Sequence, residues 1–445
     1  MNIIKSSKGL RDIIVNLAKQ NEQLEEMINQ LSRKVDIVAM EMVELKNQVD
    51  NVCEKKYLST EYLALNMHQT KKKKVLISGY YGAQNYGDEL MLQMALQYID
   101  ANKFEITILL SENYMLDSSY YAPFKVIHYP KGVEDCQFLA DYFDAIIWCG
   151  GAVLDDLYYE YRDKHTNLAY IAMSISKQMI KQGKKVFVLG VGTNDELKNV
   201  DFIKDLNYII NNASLFLLRD SNSLKTMEMA KIDTSKIGII DDLALGHDYG
   251  SGRTSPDYYT VGVILLIDDE NIEYLTRFMF YLDSIFDSQL TGKPVRYHFI
   301  PFFNLYNHDV KYFQRIRENI GKETIEITDI QPDANDIGRA LSACDLVVSM
   351  RYHATLIAGA VLGRSVLCID YGDTHQHYHN KIKYIKDNYC KNLVSIDYKK
   401  ICREDELKVA IKKAVKIKNE ALTVRDKKRI KSDIEKIFSR INREL

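Results

Sequence analysis

Residues 344–369 read CDLVVSMRYHATLIAGAVLGRSVLCI. Two short apolar runs, 345–349 and 365–369, flank a stretch of small and apolar residues opened by Met350-Arg351-Tyr352-His353 and closed by Gly363. Runs of that length read as buried strands, and the stretch between them as a helix over 352–362. Strand, helix and strand in so short a span make a βαβ unit, whose two strands must lie parallel and whose crossover is right-handed.

The same alternation extends both ways along the chain. Upstream, strands are expected at 75–80, 104–110, 125–128, 144–149, 185–190, 214–219 and 237–240, with helices at 88–101, 134–142, 164–182, 199–211 and 221–230. A polar break, GHDYGSGRTSPDY at 246–258, separates these from a second series. That series has strands at 259–267, 295–301 and 323–328 and helices at 270–288, 308–320 and 334–342, then the unit quoted above and an α/β segment at 381–396. The pattern predicts an α/β fold of two Rossmann-like domains, 74–245 and 259–403, joined by a hinge at 246–258, with ligands in the cleft beyond the strand ends. A helical tail at 404–445, rich in Lys and Arg but interleaved with Asp and Glu, is expected to be a solvated helix face, with an anionic membrane surface as the alternative contact.

Ahead of the α/β body, residues 10–52 carry a 3-4 apolar repeat, with Ile14, Asn21, Ile28, Val35, Met42 and Val49 in one seam position and Leu10, Leu17, Leu24, Leu31, Val38, Leu45 and Val52 in the other. Mostly β-branched residues opposite leucines, with one buried Asn, predict a parallel dimeric coiled coil. Residues 1–56 are thus expected to be an oligomerisation helix, followed by a linker at 57–73 that runs into Lys71–Lys74.

Composition narrows the function. The chain of 445 residues is 46% hydrophobic and 27% charged with a formal net charge of −2, which argues against a dedicated nucleic-acid binder. Its seven cysteines stand singly, without a C-x-x-C pair, and read as reduced cytoplasmic residues. The first apolar positions are interrupted by Lys5, Lys8, Arg11 and Asp12, unlike a signal peptide. The longest apolar stretch, ATLIAGAVLG at 354–363, is about half of the roughly 20 residues a membrane span needs. A cytoplasmic protein is expected, with at most peripheral contact at the inner face of the membrane.

Three glycine-bearing loops follow successive strands of the first domain: GYYGAQNYGDEL (Gly79–Leu90), CGGAVLDD (Cys149–Asp156) and GVGTND (Gly190–Asp195). None is a Walker A or a G-x-G-x-x-G fingerprint, but three such loops converge on one rim of a parallel sheet. Gly82, Asn85, Gly87, Asp88, Gly150 and Gly151 are therefore candidate substrate-binding residues. In the second domain Arg351 and His353 stand at a helix entrance, where free N–H groups favour an anion. Arg219, in SLFLLRDSNSL (214–224), occupies the corresponding strand end in the first domain. Two arginines facing one cleft suit a multiply charged small anion. The histidine run DTHQHYH (373–379) lacks a second ligand cluster of defined spacing, and no metal is expected there.

Together, GYYGAQNYGDE, GGAVLDD, LLRDSNSL, VGVILL and SMRYHATLIAGAVLGRSVLCIDY resemble the polysaccharide pyruvyl transferase family over roughly residues 74–385. The resemblance implies a GT-B-like pairing of the two domains and transfer of the enolpyruvyl group of phosphoenolpyruvate to a sugar as a pyruvate ketal. The acceptor would be a sugar of a surface polysaccharide or a glycan precursor, and phosphoenolpyruvate would be a donor substrate with no separate cofactor. It further implies that Arg219 and Arg351 bind the donor anion and that His353 is the catalytic acid. A nucleotide-sugar glycosyltransferase of the same fold is the alternative enzyme, and an inactive scaffold recruited through the coiled coil the alternative of another class.

Overall fold

The computed structural model describes residues 65, 70–110, 123–130, 132–156, 159, 168–193, 196–286, 288–321, 324–371 and 376–445. The chain divides into two compact units, Met1–Ser59 and Thr60–Leu445, and all described residues belong to the second. The predicted coiled coil and most of the linker lie outside the described residues, as do Asp373–His375 and the side chains of His377 and His379.

The first lobe is built from β1 (Lys73–Ser78), α1 (Tyr86–Tyr98), β2 (Phe104–Leu110), β3 (Lys125–His128), α2 (Val133–Tyr142), β4 (Ala145–Cys149), α3 (Leu168–Lys181), β5 (Lys185–Val191), α4 (Val200–Asn212), β6 (Leu215–Leu218), α5 (Ser221–Met229) and β7 (Gly238–Ile239). The second lobe follows with β8 (Tyr259–Ile264), α6 (Ile272–Ile285), β9 (Val295–Phe299), α7 (His308–Ile320), β10 (Ile325–Ile327), α8 (Ala334–Ser342), β11 (Leu346–Ser349), α9 (Tyr352–Leu356), β12 (Ser365–Asp370), α10 (Gln376–Asn388) and β13 (Val394–Asp397). Two helices, α11 (Glu404–Lys416) and α12 (Val424–Glu444), close the chain.

The first sheet runs β3-β2-β1-β4-β5-β6-β7 and the second β10-β9-β8-β11-β12-β13, every pairing parallel. Helices cover both faces, so the central strands are buried throughout: Val75, Leu76, Ile77, Ile146, Ile147 and Val347 are all fully excluded from solvent. In each sheet the order reverses between its first and fourth strands, and doubly wound sheets bind ligands at such a switch point. The loops after β1 and β4 stand at the first one, and Arg351 follows β11 at the second.

The lobes are joined by more than the hinge. Asn85 and Phe303 form an antiparallel bridge, Tyr86 N donates to Phe302 O at 3.0 Å, and Asn304 N donates to Gln84 O at 3.1 Å. The Tyr86 hydroxyl reaches Ile330 O at 2.9 Å and Gln93 Nε2 reaches Pro332 O at 2.6 Å. An apolar core runs unbroken from α1 of the first lobe to Ile337, Leu341 and Leu356 of the second.

The terminal helices are integral to this body. Helix α11 buries Leu407, Ala410, Ile411 and Ala414 in the second lobe's core. Helix α12 buries Ile430, Ile434, Phe438 and Ile441, a stripe at helical spacing, against the first lobe, where Phe438 stacks on Tyr98 with ring centroids 5.8 Å apart. The solvated helix expected from the charges of this segment is therefore half of the picture: its Lys and Arg face water while four apolar residues seal the core. Among the described residues no helix is long and apolar enough to cross a membrane.

Candidate active site

The opening of α1 is shaped by its glycines. Gly82 has a φ of +80° and its N–H donates to the buried Glu89 carboxylate at 2.8 Å, which turns the loop tightly back onto the first turn of the helix. Gly87 has a different role. A β-carbon at that position would lie 1.8 Å from Nδ1 of His353, so the missing side chain is what admits a histidine ring from the other lobe. Asp88 is next, with 7% of its surface exposed, and Gly151, at a φ of +82°, leaves space beside its Oδ1. Gly150 packs in the same way against Met91. Asn85 contributes its backbone to the bridge with Phe303 and caps nothing with its side chain.

Arg219 leaves the end of β6 almost fully buried, with Gly192 giving its guanidinium room. Its Nε lies 3.4 Å from Asp220 and its Nη1 3.8 Å from Asp242, while the guanidinium sits 4.9 Å from the centre of the Tyr352 ring. Asp242 follows β7 and caps the short 3-10 turn Leu243–Gly246 by accepting from Ala244 N at 3.0 Å. Its Oδ2 stands 3.5 Å from Nε2 of His353, an ion-pair distance long for a hydrogen bond. Arg219 Nε, Asp242 Oδ2, His353 Nε2 and the Tyr352 hydroxyl are all buried atoms without a hydrogen-bond partner. Four such atoms in one place are costly for folding alone, and that is the pattern of a site held ready for a ligand.

Electrostatics agree with the crowding. Burial pushes the Asp88 carboxyl up to about 6, with His353 and Arg219 pulling it partly back. Burial also opposes ionisation of Asp242, but His353, Arg219 and the Ala244 N–H outweigh it and hold that carboxyl below the usual range. Two carboxyls on one histidine thus have opposite tendencies, which is how acid and base roles are separated within one site.

Asp88 makes a pH prediction. Well below pH 4 it is protonated both folded and unfolded; between about 4 and 6 the unfolded chain has released the proton while the folded one largely keeps it, so stability falls as pH rises and levels off above 6. Asp88→Asn should therefore be more stable than wild type at pH 8, by on the order of 3 kcal/mol, and melt higher, with the gap closing as the pH falls to 4 and below. Melts at both pH values check this, and an equal difference at each would refute it.

Arg351 is placed differently. Its backbone caps the helix entrance in an extended conformation, braced by Arg351 N to Ser349 Oγ at 3.1 Å. Its guanidinium lies 3.4 Å from Asp309 and 5.5 Å from the Phe303 ring centre, with Nε 3.4 Å from Leu265 O. Asp309 is fully buried and accepts from the N–H groups of Phe302 and Phe303 at 2.9 and 2.8 Å. The arginine therefore rests on the same 302–303 segment that bridges to Asn85.

Of the sequence-predicted residues, Gly87, Asp88, Gly151, Arg219 and His353 meet in one cluster, while Arg351 stands on a separate carboxylate in the second lobe. Sequence reasoning missed Asp242, Asp309 and Tyr352. A signal for Asp242 is its place just after the last strand of the first series, on the rim that also carries Arg219.

Two parallel, doubly wound sheets with flanking helices place the chain in the GT-B-like class of α/β proteins. Among solved structures the chain is similar to UDP-GlcNAc 2-epimerase from Methanocaldococcus jannaschii, with 9% identity and a TM-score of 0.52 over 83% of this chain and 99% of that one. It is also similar to HepE from Anabaena, solved with UDP and glucose, with 13% identity and a TM-score of 0.48 over 84% of this chain and 98% of the other. No curated relative matches the sequence. The chain belongs to the polysaccharide pyruvyl transferase family, whose sequence pattern it matches over residues 85–373, well over half its length.

Proposed function

We propose that this protein transfers the enolpyruvyl group of phosphoenolpyruvate to two hydroxyls of one sugar in a surface polysaccharide or glycan precursor, lipid-linked or free. The observation that carries the reading is His353: it sits beside Arg351 at a helix entrance and is received by Gly87 and Asp242 across the lobe junction. In the reaction one hydroxyl oxygen bonds to C2 of the donor, a proton is delivered to C3, the C2–O bond to phosphate breaks, and the second hydroxyl closes the ketal. The two hydroxyl protons are accounted for by the new methyl group and the released phosphate.

The roles divide by environment. Arg351 and the helix entrance at 352–354 receive an anionic group of the donor, with a forked geometry that Lys cannot copy. Arg219, gripped by Asp220 and Asp242 and stacked on Tyr352, contributes a second positive charge to the donor side. His353 delivers the proton, and Asp242 holds its ring. The glycine loop 82–88 borders the acceptor side, where Asp88 can bond a sugar hydroxyl. A dimer through the N-terminal helix and work at the cytoplasmic face of the membrane complete the proposal.

The direct test is calorimetric binding of phosphoenolpyruvate against a panel of nucleotide sugars, followed by phosphate release with glycan acceptors. Arg351→Lys should weaken phosphoenolpyruvate binding at least about tenfold. Binding of a nucleotide sugar in place of phosphoenolpyruvate would overturn the reading in favour of glycosyl transfer.

A further inference from the structure

Asp241, the neighbour of Asp242 and part of the first lobe, is gripped from outside that lobe. The Tyr389 hydroxyl donates to its Oδ1 at 2.7 Å and Arg429 Nη1 to its Oδ2 at 2.9 Å. Tyr389 lies just past α10 of the second lobe. Arg429 lies in the second turn of α12, a helix tied to the second lobe immediately upstream by Leu422 N to Ala360 O at 2.6 Å and Lys427 Nζ to Val361 O at 2.8 Å. The next residues of α12, Ile430 and Ile434, then seat on the first lobe, with Ile434 against Gly246 at the end of the turn that Asp242 caps.

Arg429 is about half exposed, and a single ion pair there adds little to stability. Its position is more informative than its energy. Consecutive Cα atoms are a fixed 3.8 Å apart, so a carboxylate pinned at 241 limits where the next one can stand. Asp242 is the carboxylate that must meet His353 from the other lobe.

We propose that Tyr389 and Arg429 are positioning residues that clamp Asp241 and thereby hold Asp242 against His353 across the lobe junction. Both lie beyond the residues that match the family, 85–373, while the Asp241 they hold lies within them. Its effect on turnover rests on the proposed pyruvyl transfer; its geometry does not.

Tyr389→Phe removes one hydroxyl and keeps the ring. In the full chain it should speed hydrogen exchange at Ala244 and Leu245, whose amides bond Asp242 itself, and at 353–356, while β1 and β8 stay as in wild type. With phosphoenolpyruvate and acceptor, kcat should fall about three- to tenfold with the donor KM within twofold. Arg429→Gln should act alike, and Arg429→Lys should restore most of the loss. Unchanged exchange at those two segments, or acceleration spread evenly through the lobes, overturns the clamp. If wild type transfers no pyruvyl group, the functional reading fails while the exchange result still decides the clamp.

Discussion

Replacing His353 by Ala or Gln is expected to lower turnover with phosphoenolpyruvate and acceptor at least about a hundredfold while leaving phosphoenolpyruvate affinity within several-fold. The separation follows from geometry. Arg351, the proposed anion receptor, is braced by Ser349, Leu265 and Asp309, none of which depends on the histidine ring. The ring instead points across the junction to Asp242 and Gly87. Removing it would take away the proposed proton donor without disturbing the proposed anion receptor. Gln preserves some hydrogen bonding but has no proton to deliver and take back near neutral pH, so it should be as inactive as Ala. Phosphate release measured with acceptor present, together with calorimetry for the donor, checks both halves. A His353→Gln variant turning over at near wild-type rate would remove the assigned acid.

The fold was legible where burial acts on both faces of a strand. The runs at 104–110 and 125–128 and the helices at 308–320 and 334–342 occupy the residues their apolar patterns predicted. Strand β7 has only two residues, too few to display a period, so no local pattern marks Asp242 after it, although its carboxylate is 1% exposed. The dense charges of helix α12 mask its buried stripe, Ile430, Ile434, Phe438 and Ile441, at intervals of four, four and three. The glycines were recognised as points of close approach, but the neighbour that fills the space at Gly87 is 266 positions away in sequence, His353. Local pattern carries helix and strand; which side chain enters which gap is fixed by how two lobes meet, and no window of sequence contains that.

Gly87→Ala is expected to abolish pyruvyl transfer about as fully as loss of His353, although neither Arg351, the proposed anion receptor, nor His353, the proposed acid, is changed. Gly87 is the second residue of α1, and in a helix Ala for Gly would ordinarily stabilise by about 0.5–1 kcal/mol. Here the new methyl would stand 1.8 Å from Nδ1 and 2.4 Å from Cγ of His353, distances no real contact permits. The ring is held on its other side by Asp242, itself capped onto the 243–246 turn, so it cannot simply retreat and keep its partner. Either His353 swings out of the site or the lobes part at the bridge between Asn85 and Phe303; both would abolish the proposed alignment of His353 with the donor. The double variant Gly87→Ala/His353→Ala separates this clash from a general weakness of α1. With the ring gone the methyl has room, so the double variant should melt higher than Gly87→Ala alone, and its residual activity should match that of His353→Ala rather than the product of the two losses. Independent, additive losses of stability would mean that Gly87 serves its own helix and that His353 does not enter the gap.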